Sequence, residues 1–273
     1  MKRKQMLWST CLMILILSLA VSACGKNDLE ADSDQDKPAE QTELQYEGES
    51  LLVYSGAGLS KAMDAVAAAF EEKYGANLQM NYAGCAQLLG QMEVNKTGDV
   101  FVGGSLNDAD IALKKGFTDD TVNLVYHIPA IAVPKGNPAG IKTLADMAKP
   151  GVKLVLGDAE SNAIGKKGEK IFEKNGLTEA IHANVTARDA TVNEIVTHIG
   201  LKQGDAGLVW EDNGVGASDI EIITIPEEQN VIDQVPVCVL NFSEKKELAQ
   251  LLVDFMCSDE GKAIFIEYGF KPL

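Results

Sequence analysis

The chain has 273 residues, with 24 Lys and Arg against 40 Asp and Glu, a formal net charge of −16. A chain this acidic repels nucleic acid and anionic lipid, and no basic stripe offsets that repulsion, so a nucleic-acid-binding role is excluded. The five cysteines show no C-x-x-C or other metal-ligand spacing, which argues against a disulfide framework or a structural zinc site.

Lys2, Arg3 and Lys4 precede an apolar run from Leu7 to Leu19, and the small residues Ser22-Ala23 stand in front of Cys24. A basic n-region, an apolar h-region and a small-residue cleavage site read as a secretory signal peptide over residues 1–23. Val21-Ser22-Ala23-Cys24 resembles the bacterial lipobox. That resemblance implies cleavage before Cys24, lipidation of its thiol and acylation of the new amino terminus. Two or three chains anchor far more firmly than one. The alternative is an uncleaved membrane helix, for which the apolar stretch is only just long enough. Loss of three basic residues with the signal takes the net charge from −16 to −19.

After Cys24, residues 25–49 are polar and rich in Asp and Glu. They cannot bury a core, and the expectation for 24–49 is a lipidated cysteine followed by a disordered tether extended by its own charge. With Cys11 removed and Cys24 lipidated, Cys85, Cys238 and Cys257 remain. Cys238, in Val237-Cys238-Val239-Leu240, reads as a small buried hydrophobe in a strand, and Cys257 as packed at a helix end.

From Leu51, short apolar runs alternate with amphipathic helical patterns, the signature of βα units. Strands are expected at Leu51–Tyr54, Asn77–Tyr82 and Asp99–Gly103, with helices at Lys61–Tyr74 and Ala86–Asn95. Leu124–Val133 reads as one long strand broken by Pro134-Lys135-Gly136-Asn137-Pro138, and Thr143–Ala148 as a short helix. A second block follows, with a strand at Lys153–Leu156, helices at Ala163–Asn175 and Val192–Leu201, and a strand at Gly207–Trp210. Thr191 with Glu194 three residues on is a capping box. Gln234–Leu240 returns as a long strand, and stripes through Leu248, Leu251, Leu252 and Phe255, then Ile264, Phe265 and Tyr268, give two closing helices. The expected architecture is α/β with two lobes, each a mainly parallel sheet flanked by helices, joined by a double crossover. Lobe 1 spans 50–130 and recovers 235–273; lobe 2 spans 131–234. A ligand cleft belongs between them.

Four junctions carry small or polar residues where a helix begins: Ser55-Gly56-Ala57-Gly58-Leu59-Ser60, Ala83-Gly84-Cys85-Ala86, Gly157 to Ile164 through Glu160 and Ser161, and Asp189-Ala190-Thr191-Val192. Helix N-termini offer unpaired N–H groups and a positive dipole end, which hold an anion without Lys or Arg. Small residues let it reach the backbone.

Taken in order, Val53 to Met63, Tyr82 to Ala86 with Gln91-Met92-Glu93, Gly98 to Val102, Val133 to Pro138, Leu156-Gly157-Asp158, Gly207 to Trp210 and Phe265 to Phe270 resemble the periplasmic molybdate-binding family. The resemblance implies a type II periplasmic-binding-protein fold and a substrate-binding protein of an ABC importer. Such a protein takes a tetrahedral oxyanion such as molybdate or tungstate, performs no reaction and needs no cofactor. By matched position it places ligand contacts at Gly58, Ser60, Cys85, Ile164, Val192 and Trp210, with Ser55, Gly84, Glu160 and Ser161 as further cleft residues and no metal ligand. Gly58 and Cys85 stand where the family has serines, and Trp210 where it has tyrosine, so three hydroxyl donors are absent. Glu160 and Asp212 read as solvent-facing loop carboxylates. The expected partners are the anion, a membrane permease and the lipid bilayer, the protein acting as a monomer on the extracytoplasmic face.

Three alternatives remain at this point. The fold could take a transition-metal cation or another small anion, although His127, His182 and His198 show no ligand spacing and His127 reads as a satisfied buried histidine. Cys85 at a helix N-terminus could be an enzyme's nucleophile, although no base is placed beside it. The third is an interaction lipoprotein without a small ligand.

Overall fold

In the computed structural model, which describes residues 44–273, the alternating pattern folds into two sheets. The signal peptide, Cys24 and the tether up to residue 43 lie outside the described residues. Residues 44–49, read above as the end of the tether, instead pack on the globule. The Tyr46 amide donates to the Tyr74 carbonyl at 2.9 Å and the Tyr46 side chain lies against the core of the first lobe.

The first lobe begins with β1 (Ser50–Gly56), α1 (Ser60–Tyr74), β2 (Asn77–Ala83), α2 (Cys85–Asn95), β3 (Val100–Val102), α3 (Leu106–Lys114) and β4 (Val122–His127). The chain then crosses at Ile128 into β5 (Pro129–Pro134), α4 (Leu144–Met147), β6 (Leu154–Gly157), α5 (Ala163–Lys174), α6 (Thr178–His182), β7 (Val185–Asp189), α7 (Val192–Gly200), β8 (Ala206–Trp210) and β9 (Ile220–Thr224). It recrosses through 225–232 to β10 (Asp233–Val239), α8 (Lys246–Cys257), α9 (Asp259–Glu267) and β11 (Lys271–Pro272).

Sheet order is β11-β4-β10-β3-β1-β2 in the first lobe and β7-β6-β8-β5-β9 in the second. Each has a parallel core, β2-β1-β3 and β7-β6-β8, widened by antiparallel strands on the crossover side. The single long strand expected over Leu124–Val133 divides at Ile128 because it serves both sheets. Pro129 has no N–H to extend the first ladder, and it opens the second.

Met63, Val66 and Phe70 of α1 bury one face against Phe255, Phe265 and Val237 of the returning segment. A second core forms around Ile131, Leu154, Phe172, Ile195 and Trp210. At the start of α7 the capping box is complete, with Thr191 and Glu194 each accepting from the other's amide. Such caps fix where a helix begins, and so where its free amides point. Among the described residues no helix is long and apolar enough to cross a membrane.

Candidate functional site

A cavity of about 30 Å³ lies between the lobes. Four helix starts enclose it: Gly56 to Leu59 before α1, Ala83 to Cys85 at α2, Asn162 and Ala163 at α5, and Ala190 to Val192 at α7, with Gly104, His127 and Trp210 completing the wall. No Lys or Arg is among the lining residues. The lining therefore offers helix-start amides, from two helices of each lobe, in place of Lys or Arg.

Small residues are required here by the approach of opposite lobes. A Cβ on Gly58 would come within 2.7 Å of Val192 Cγ1, and one on Gly84 within 3.1 Å of the Ala190 carbonyl oxygen. Polar bonds across the gap hold the same closed arrangement. Asn193 Nδ2 donates to Ala57 O at 2.8 Å, Lys61 Nζ to Val215 O at 2.9 Å, and Lys167 pairs with Asp233 at 2.5 Å.

Of the residues singled out in sequence, Gly58, Gly84, Cys85, Val192 and Trp210 line the cavity. Ser60 does not; it faces an adjoining cavity of about 240 Å³ with Lys61, Asp212 and Tyr268. Ile164 sits behind the wall, fully buried, and its amide already donates to Asn162 Oδ1 at 3.1 Å, so Ala163 takes the lining position. Ser55 is buried and bonds locally to Gly56 O. Glu160 and Ser161, candidate cleft residues, are not among the cavity-lining residues: Glu160 is exposed, and Ser161 turns its hydroxyl onto Asp158 Oδ1 at 2.8 Å. The backbone N–H and hydroxyl of Ser161, with the Glu160 amide, hold the Asp158 carboxyl below the usual carboxylate range. Asp212, read as a solvent-facing carboxylate, is buried against His127 because the turn after β8 folds under the cavity.

Cys85 Sγ accepts from the Gly104 amide at 3.2 Å. Burial pushes its thiol well above the usual value, and the neighbouring Asp108 adds to the shift. A thiol held protonated is a poor nucleophile. Among the described residues no three His, Cys, Asp or Glu side chains converge where they could hold a metal ion.

Sequence reasoning missed Gly104 and underrated His127. The His127 ring stacks on Trp210, with centroids 3.6 Å apart and planes at 16°, and Nδ1 is 2.8 Å from Gly104 O. The signal was an ionisable residue two positions before a proline, at the point where the chain changes sheets.

Known proteins resemble this chain in sequence and in fold. The molybdate-binding protein ModA of Mycobacterium tuberculosis is 26% identical over 268 residues, covering 97% of this chain and 98% of its own. The sulfate-binding protein SubI of the same organism superposes with a TM-score of 0.75 at 17% identity, covering 82% and 87% of the two chains. The periplasmic molybdate-binding protein of Azotobacter vinelandii gives a TM-score of 0.71 at 14% identity, covering 81% and 98%. The two-lobed fold is thus that of periplasmic binding proteins. Residues 51–271 match the pattern of one family, and the chain belongs to it: the bacterial extracellular solute-binding proteins.

Proposed function

We propose that this chain is the lipid-anchored receptor of an ABC importer and captures a compact tetrahedral oxyanion, molybdate or tungstate, between its lobes. The observation that carries the reading is the small cavity walled by four helix starts from both lobes and by no Lys or Arg. At about 30 Å³ it is about a tenth of the smallest pockets that take drug-sized molecules, which selects a compact ion. Closing the lobes replaces the ion's hydration shell with fixed amide dipoles, and the closed shape is what a permease recognises. The relatives named for molybdate and sulfate support an oxyanion. Contacts are assigned to the amides of Gly58, Cys85, Ala163 and Val192, with the Trp210 ring as a wall. The lipobox-like Val21 to Cys24 supports anchoring at Cys24, as a monomer on the extracytoplasmic face.

A thermal-shift panel with molybdate, tungstate, sulfate, phosphate and divalent metals, each with and without chelator, tests this. Ligand at a thousand times its dissociation constant stabilises by about 4 kcal/mol. A chelator-resistant shift with molybdate or tungstate is expected. A response to divalent metal alone, abolished by chelator, would replace the oxyanion by a cation.

A further inference from the structure

A groove of about 530 Å³ opens beside the anion cavity and shares Ala163 with it. One wall comes from the start of α3 in the first lobe, with Ser105, Asn107 and Asp110, and the other from α5 in the second, with Lys166, Lys167 and Lys170. Ser105 follows directly on Gly104, itself a cavity residue, so groove and cavity meet on both lobes. The chain is strongly acidic and the cavity lining holds no Lys or Arg. The three lysines put the opposite sign beside it.

Stability does not account for all of them. Lys166 and Lys167 are the fourth and fifth residues of α5, whose first turn holds no acidic residue. The positive end of the helix dipole lies there and disfavours cations. Lys167 has a structural reason, its pair with Asp233 at 2.5 Å. Lys166 and Lys170 have no carboxylate partner among the described residues. Of the groove's carboxylates, Asp233 accepts from Lys167 and from the Leu106 and Gln234 amides, and Glu169 is held by Arg188 at 3.3 Å and His182 at 2.8 Å. Asp110 is exposed and in no ion pair among the described residues, so two free ammonium groups stand against one free carboxylate. The field of Lys166 reaches the cavity wall. Burial above all raises the Cys85 thiol and the Asp108 carboxyl, and the Lys166 charge pulls both back down.

We propose that this groove is the capture site for the anion: Lys166 and Lys170 draw a small dianionic oxyanion in against the repulsion of the acidic surface and pass it to the helix starts at Ala163. The inference rests on the oxyanion reading for its ligand and on the groove's own charge for the rest. Steering of this kind acts on encounter. It speeds association and makes it sensitive to salt, while dissociation stays with the amides that hold the ion. The attraction fades as the Debye length falls from about 30 Å in about 10 mM salt to about 3 Å in about 1 M.

Stopped-flow fluorescence of the mature chain in neutral detergent, mixed with tungstate, reads the encounter directly, because Trp210 in the cavity wall is the one tryptophan left once residues 1–23 are removed. In about 10 mM salt, Lys166→Gln and Lys170→Gln should each slow association by about 3- to 10-fold and leave dissociation within about twofold, and the difference should vanish near about 1 M. Lys166→Arg keeps the charge and should keep the rate, and Asp110→Asn removes the opposing carboxylate and should raise it. Lys142→Gln makes the same change in net charge at an exposed position outside the groove and should leave association unchanged. A wild-type association rate in Lys166→Gln, a change confined to dissociation, or equal slowing in Lys142→Gln overturns the proposal. The groove's charge is also read without any oxyanion, from the relaxation of amide NMR signals by a carboxylate-bearing and a neutral nitroxide of equal size. The carboxylate probe should act on the Asn107 and Lys170 amides at least as strongly as the neutral one, and less strongly in Lys166→Gln. A weaker effect of the carboxylate probe in the wild type overturns the proposal whether or not tungstate binds. Failure of tungstate to bind while the groove draws the anionic probe would sink the proposed ligand and leave the groove standing as an anion-capturing surface.

Discussion

Adding one carbon at position 58 tests whether the closed arrangement is the binding state. An ideal Cβ on Gly58 lies 2.7 Å from Val192 Cγ1, well inside the 3.4–4 Å of ordinary contact, and the two residues belong to different lobes. Overpacking of this kind destabilises by about 1–3 kcal/mol. Because the clash exists only when the lobes meet, it acts on closure rather than on folding. Gly58→Ala is expected to weaken anion affinity by about 5- to 150-fold, at 1.4 kcal/mol per decade, and to leave the melting temperature of the ligand-free protein nearly unchanged. Val192→Ala removes the colliding methyl, so the double variant Gly58→Ala/Val192→Ala should recover most of the loss. The assay is titration calorimetry of the two single variants and the double variant with the anion that the thermal-shift panel selects, read as a double-mutant cycle. Wild-type affinity in Gly58→Ala, or additive losses in the double variant, would refute the assignment of this contact to the bound state.

Three further outcomes follow from the same geometry. Cys85, buried and with its thiol raised by burial and by Asp108, should resist thiol reagents at pH 8 in the native protein and react once urea unfolds it; rapid native labelling would revive a nucleophilic role. Burial raises the Asp108 carboxyl, so the folded state favours its protonated form, and that stabilisation is present at low pH and lost as pH rises past the raised value. Asp108→Asn keeps an acceptor for Ser105, so its melting temperature relative to wild type should climb between pH 4 and pH 8; a constant difference would contradict the burial argument. Asn193→Ala removes the 2.8 Å bond to Ala57 O, and the loss of about 0.5–1.5 kcal/mol should appear as a roughly 2- to 13-fold drop in anion affinity measured by calorimetry.

What the sequence made legible was local chemistry. The four helix starts singled out from Gly, Ala, Ser and Thr at strand ends are the four that surround the cavity, because a helix begins where its cap residue sits. What it concealed depended on which atom faces inward. At α5 the cap itself decides: Asn162 takes the Ile164 amide and leaves Ala163 at the surface of the cavity. The helix α3 went unread because Asp108, buried near its start, puts a carboxyl where a periodic apolar residue is expected. His127 and Asp212 are far apart in the chain and are brought together at the crossover, where the Glu211 amide donates to Ile128 O, so the sequence did not pair them. Gly58 is the most instructive case. Compared with the family's serine it reads as a lost donor. In the folded protein it is the space into which Val192 of the other lobe fits, so the substitution at 58 and the residue at 192 are two halves of one contact. A serine reintroduced at 58 alone would bring back a hydroxyl and hold the lobes apart. The missing donor is therefore not a defect that a single side chain at 58 can repair without moving Val192.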